Sequence, residues 1–144
     1  MKHFGKRVLC GFIVICLLST LLCSVASARS SAFLDDYSAS VTPISGGKMV
    51  VTVDVSGVGR MTEIGATTIY IYESQDNKYF TRVATYEHED YPEMMGSGTN
   101  YCEDAVTYSG TPGYYYFASV YCYAANAKGS DEKNYTTSVK RAIA

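Results

Sequence analysis

The sequence has 144 residues, 12 basic and 14 acidic side chains, a formal charge of −2, fourteen tyrosines, five cysteines and no tryptophan. That length suits one domain of ordinary size with a real core. The acidic balance excludes a general nucleic-acid binder, whose surface would have to be basic.

The chain opens MKHFGKRVLCGFIVICLLSTLLCSVASARS. Lys2, Lys6 and Arg7 precede an apolar run from Val8 to Leu22, and Ala26-Ser27-Ala28 supplies a small-x-small cleavage pattern. The run is shorter than the ~20 residues that span a bilayer. Residues 1–28 are therefore expected to be a signal peptide cut after Ala28, and the protein to be secreted and extracellular. Leu22 stands before Cys23, where a lipoprotein signal would want Gly or Ala. Three of the twelve basic residues leave with the signal, so nine stand against fourteen acidic ones and the charge becomes −5. No later segment is apolar enough to enter a membrane.

Cys102 and Cys122 are the two cysteines that remain. An even pair in an exported chain predicts a disulfide. Closing a loop of about 20 residues contributes about 3 kcal/mol in the chain-entropy view. The alternative is a pair of buried free thiols. No CxxC motif, no Cys/His metal spacing and no phosphate-cradling glycine loop occurs, so neither cofactor nor metal is expected.

The elements read as antiparallel β structure, short β-branched and aromatic runs separated by Gly, Asn, Asp and Pro. Residues 29–38 are polar and expected to be a flexible lead-in, with the folded domain over 39–144. A short first strand is expected over Ala39–Thr42, stopped by Pro43. In "GKMVVTVDVSGVG", Met49, Val51, Val53 and Val55 fall on one face, and Val50, Thr52 and Asp54 on the other. "RMTEIG" turns the chain into "ATTIYIYES", where Ile69 and Ile71 alternate with Tyr70 and Tyr72. "QDNK" makes a hairpin turn, and "YFTRVATYE" returns. The stretch from His88 to Asn100 is expected as the longest loop, with a short edge strand or a helical turn. "DAVTYSG" is a strand, "TPG" a turn and "YYYFASVYCYAAN" the longest strand. "AKGSDEKN" is expected as a loop, and "YTTSVKRAI" closes the sheet. About seven strands at this spacing suit a β-sandwich.

"GTPGYYYFASVYCYAANAKGS" resembles the E–F corner, F strand and F–G turn of immunoglobulin-like and fibronectin type III domains. Pro112, Gly113 and Tyr116 match a P-G-x-x-Tyr step whose tyrosine packs in a corner. Ala118, Val120, Cys122 and Ala124 then alternate inward, with Asn126 and Gly129 behind. Together with the "IGATTIYIYE" hairpin, the chain resembles small secreted proteins of unknown function from Firmicutes-type bacteria. The resemblance implies an immunoglobulin-like sandwich and export, and no activity. The chain departs from those folds in having no Trp for the core and no Cys on the second strand.

Parity splits the tyrosines. Tyr114 and Tyr116 fall with the inward set, while Tyr115, Phe117, Tyr121 and Tyr123 fall with the outward one. Tyr70 and Tyr72 oppose the aliphatic residues of their own strand, which an immunoglobulin-like sandwich places beside the long strand. Tyr70, Tyr72, Tyr115, Phe117, Tyr121 and Tyr123 are thus the candidate ligand-binding ladder on an outer sheet face. The plain alternative is that cross-strand aromatic pairs only reinforce the sheet, at about 0.2–1 kcal/mol each. Rigid amphipathic rings massed on an open face nonetheless suit binding.

Glu87, His88, Glu89, Asp90 and Glu93 form an acidic cluster whose spacing matches no calcium loop. A single histidine in that part of the chain and no GxSxG leave acyl transfer without support. The expected function is a non-enzymatic binding module for an extracellular protein, through the tyrosine face or the end loops. A carbohydrate-binding module is the first alternative, and a small hydrolase using the Glu87–Glu93 cluster the second.

Overall fold

Met49, Val51, Val53 and Val55 lie buried while Val50, Thr52 and Asp54 between them stay partly accessible. That period of two makes β2 (Lys48–Met61) a half-buried strand. The same alternation buries Tyr116, Ala118, Val120, Cys122 and Ala124 along β7 (Tyr115–Asn126). Ile64, Ile69 and Ile71 point inward from β3 (Glu63–Ser74). Each large aliphatic side chain so buried contributes about 1.5–3 kcal/mol. The computed structural model describes Ser31–Ala144; the signal peptide expected over residues 1–28 lies outside the described residues.

These faces meet in an antiparallel β-sandwich. One sheet runs in the order β1 (Leu34–Pro43), β2, β6 (Thr99–Ser109). The other runs β4 (Thr81–Glu87), β3, β7, β8 (Gly129–Thr136). Two short strands complete the second sheet, β5 (Met95–Gly96) on β3 and β9 (Lys140–Arg141) on β7. The segment expected as the longest loop, with an edge strand or a helical turn, holds both the 3-10 turn Pro92–Met94 and β5, and its last two residues, Thr99 and Asn100, already belong to β6. Gly65 admits this segment: its φ is +148°, and a Cβ there would sit 2.1 Å from the Met94 carbonyl oxygen. Met94 is thereby pressed into the core.

The corner before β7 has the geometry that the P-G-x-x-Tyr step implies. The Thr111 amide donates to the Tyr116 phenol oxygen at 2.7 Å, and that phenol donates to the Glu73 carboxylate. Gly110 is required beside it, because a Cβ there would stand 2.6 Å from the Tyr116 ring.

Three expectations need correction. The first strand starts at Leu34, five residues before Ala39, so half of the segment expected as a flexible lead-in is ordered sheet. Ser31, Ala32 and Phe33 are also tied down, donating to the Asp131 carboxylate at 2.5, 2.7 and 3.0 Å. The Ser31 hydroxyl and the two amides hold that carboxyl below the usual carboxylate range. "GSDEKN" lies in strand β8, and the connection from β7 shrinks to Ala127 and Lys128.

The Cys102–Cys122 disulfide is the third. Both cysteines are free, Cys102 half-buried on β6 and Cys122 fully buried on β7. Strand β6 packs across the core against β3 and the 3-10 turn, whereas β7 packs against β1 and β2. The two thiols sit on strands of opposite sheets and are not bonded to each other. Cys102 Sγ is instead within 3.7 Å of the Met94 carbonyl oxygen. Burial raises both thiol pKa values, that of Cys122 to about 12, so neither is poised as a thiolate.

Candidate functional site

The outer face of the β4-β3-β7-β8 sheet carries the aromatic residues singled out by parity. Register sets Tyr72 directly opposite Phe117, and the two rings stack at 4.8 Å with planes 7° apart. Thr68 lies opposite Tyr121, which brings Tyr70 into diagonal reach of it. Those two rings meet edge to face at 5.9 Å. All six ladder residues are half-buried. Four of them, Tyr70, Tyr72, Phe117 and Tyr121, pair as the parity argument requires. Tyr115 stands at one end, with the Arg141 guanidinium 5.7 Å from its ring centre. Tyr123 stands at the other end, opposite Gly65 on β3 and Glu132 on β8, with no aromatic partner among the described residues.

Two contributors escaped the sequence reading. Phe80 packs edge-on against Phe117 at 5.0 Å and extends the row toward the β3–β4 turn. The returning strand expected from the sequence includes it, but β4 begins only at Thr81, so strand parity does not fix which way Phe80 faces. Arg82 on β4 lays its guanidinium 4.8 Å from the centre of the Tyr70 ring. The turn itself is fixed by Asp76, whose carboxylate accepts from the amides of Lys78 and Tyr79 and from the Ser74 hydroxyl.

Beyond Tyr70 and Tyr121 the face opens into a cavity of about 480 Å³. Its cause is a bulge. The β3–β7 register steps from Ala66–Cys122 to Thr68–Tyr121, leaving Thr67 as the extra residue. The Thr67 carbonyl accepts from the His88 amide at 3.0 Å and lies 3.3 Å from His88 Nδ1. Glu89 approaches the same nitrogen at 3.2 Å. Facing two acceptors, Nδ1 is the nitrogen that carries hydrogen. The Thr67 hydroxyl donates to the Tyr121 carbonyl at 3.3 Å. Glu87, from the end of β4, and Glu132, from β8, line opposite sides of the same hollow.

The acidic cluster is therefore divided. Glu87, His88 and Glu89 line the cavity, whereas Glu93 sits exposed on the 3-10 turn. Among the described residues, no group of three or more His, Cys, Asp or Glu side chains converges closely enough to hold a metal ion. The cavity joins two features that are separate in the sequence, the tyrosine ladder and the first half of the acidic cluster. No protein-family model matches the chain, and no curated protein matches it.

Proposed function

We propose that this chain is an exported, non-enzymatic binding module that engages an extracellular protein partner through the outer face of its larger sheet. The observation that carries the reading is the row Phe80, Phe117, Tyr72, Tyr70 and Tyr121. It stands half-buried on a sheet face over which no further layer of the described chain is laid. Aromatic side chains bring large contact area at small conformational cost, which is why binding surfaces concentrate them. Sheet reinforcement alone is worth about 0.2–1 kcal/mol per pair.

Ring orientation supports a protein over a glycan. Tyr72 and Phe117 spend a face on each other, and Phe80 closes against Phe117 edge-on. What they offer outward is largely ring edges, suited to side-chain packing. A sugar ring would call for an open aromatic face.

The test is retention of the purified protein on extracellular surfaces and secreted protein fractions, compared with a Tyr72→Ser/Phe117→Ser variant verified as folded by circular dichroism. Loss of retention in the folded variant supports the reading. Equal retention of both proteins would move the activity to the end loops and sink the face as the contact surface.

A further inference from the structure

We infer that the cavity at the Thr67 bulge is a receptor for one positively charged side chain, arginine or lysine, of the protein partner. This inference rests on the binding-face reading and names the chemistry of one end of that face. It begins from charge. Glu87, Glu89 and Glu132 line the cavity, and no lysine or arginine does. Among the described residues no lysine or arginine lies within 4.0 Å of a carboxylate, and His88 Nδ1 stands 3.2 Å from Glu89. Glu87 and Glu132 have no cationic partner there. Thr67 Oγ1, at 3.5 Å, is the only neighbour among the described residues within hydrogen-bonding range of the Glu132 carboxylate.

Geometry then narrows the occupant. The carboxylates are spread around about 480 Å³ and do not converge on a point. A bare metal ion would leave most of that space unfilled, whereas an organic cation with an apolar stem would occupy it. The wall on the ladder side is aromatic, made by Tyr70 and Tyr121, which meet edge to face at 5.9 Å. A ring beside a carboxylate suits a guanidinium or ammonium group, through cation–π attraction and charged hydrogen bonds. The Arg82 guanidinium already covers a face of Tyr70, 4.8 Å from its centre, so Tyr121 is the ring left to a cation entering the hollow.

Place in the fold favours a polypeptide as the source of that cation. The cavity continues directly from the aromatic row, because Tyr70 and Tyr121 belong to both. A partner lying along the face would set apolar side chains on Tyr72, Phe117 and Phe80, and one basic side chain into the hollow. The two contacts to the Thr67 carbonyl tie the bulge to His88 and hold the hollow formed before binding, which lowers the ordering cost.

The experiment is a titration of the 15N-labelled protein with N-acetyl-arginine amide and N-acetyl-lysine amide, against the neutral isostere N-acetyl-citrulline amide. The expected result is saturable shifts at the amides of Thr67, Thr68, Glu87, His88, Tyr121 and Glu132 with the cations only. The double variant Glu87→Gln/Glu132→Gln, at two exposed and isosteric positions, should bind about tenfold more weakly. Affinity should also fall as salt rises. Three results would each overturn the inference: no saturable shift with either cation, equal response to citrulline, or shifts at these amides with Ca²⁺ alone. The retention assay separates the two readings, since Tyr72 and Phe117 lie outside the cavity. Retention lost in that variant, with silent arginine and lysine titrations, removes the cation pocket and leaves the binding face standing. A positive titration with retention unchanged in the variant removes the aromatic row and leaves the pocket.

Discussion

The phenol of Tyr116 donates to the carboxylate of Glu73, and the same oxygen receives the Thr111 amide. One buried side chain thereby fastens the corner before β7 to the end of β3, the two strands that carry the aromatic row. Tyr116 is fully buried, so a Phe in its place keeps the packing and loses only the polar contacts. The Thr111 donor and the Glu73 acceptor would then lack this partner. Tyr116→Phe is expected to cost about 1–3 kcal/mol, read as a lowered urea midpoint at neutral pH with an unchanged slope. An unchanged midpoint would show that water replaces the phenol without loss.

Alkaline pH should weaken the fold before any other extreme does so through these groups. Burial, and then the hydrogen bond to Glu73, raise the Tyr116 pKa to about 12, and burial raises that of Cys122 to about 12. Tyr86, Tyr101, Tyr108 and Cys102 are displaced in the same direction. A raised folded-state pKa means that the native state keeps its proton while the unfolded chain loses it. The stabilisation is complete below the unfolded values, 9.0 for the thiol and 10.0 for the phenol. It is then lost as pH rises toward the folded ones. Stability should hold to about pH 9 and then fall, at up to about 1.4 kcal/mol per pH unit for each of the fully buried Tyr116 and Cys122 in its window. Cys122→Ala should delay the onset of that fall. Denaturation profiles flat through pH 11 would contradict the assignment.

Gly65→Ala tests how the 3-10 turn and β5 are held. The added methyl would meet the Met94 carbonyl carbon and oxygen and the Met95 Cα, all backbone atoms that cannot swing aside. The segment has to lift from β3, taking the buried Met94 with it. A loss of about 2–3 kcal/mol is expected. Amide exchange should speed up at Met95 and Gly96, and Cys102, released from the Met94 carbonyl, should alkylate faster. Unchanged Cys102 reactivity would mean that β6 holds the thiol by itself.

The parts of the fold legible in the sequence are those whose cause is local. Strict alternation marked the inward faces of β2 and β7, and with them the outward row of Tyr70, Tyr72, Phe117 and Tyr121. What escaped depends on contacts between distant segments. Leu34 begins a strand because Asp131, about a hundred residues on, clamps the segment before it. "GSDEKN" reads as a loop because an edge strand paired on one side tolerates charge on both faces. Cys102 has the inward parity expected of a bridge, yet parity cannot say that its strand packs against β3. The cavity needs the Thr67 bulge and Glu132 together, and no local pattern links them.

Asp104 supplies the last test. It lies opposite Val53 in the β2–β6 register and shares the inward parity of Val106, so its carboxylate points between the sheets. One carboxylate oxygen is shut from solvent without any hydrogen-bond partner. Such a group costs about 1–3 kcal/mol, more than a neighbouring valine would. Its position gives a reason for that cost. Strand β6 is an edge of its sheet, with a row of unpaired backbone groups, and an inward charge is a known way to keep an edge from pairing with another chain. Asp104→Val should therefore raise the urea midpoint, by about 1–3 kcal/mol of stability at constant slope, and at the same time promote self-association. Sedimentation at increasing concentration reads the second effect, because valine restores a continuous β-branched edge beside Val106. A stabilised variant that stays monomeric would leave the burial cost real but remove edge protection as its explanation. A destabilised one would show that the shielded oxygen is satisfied by water in solution.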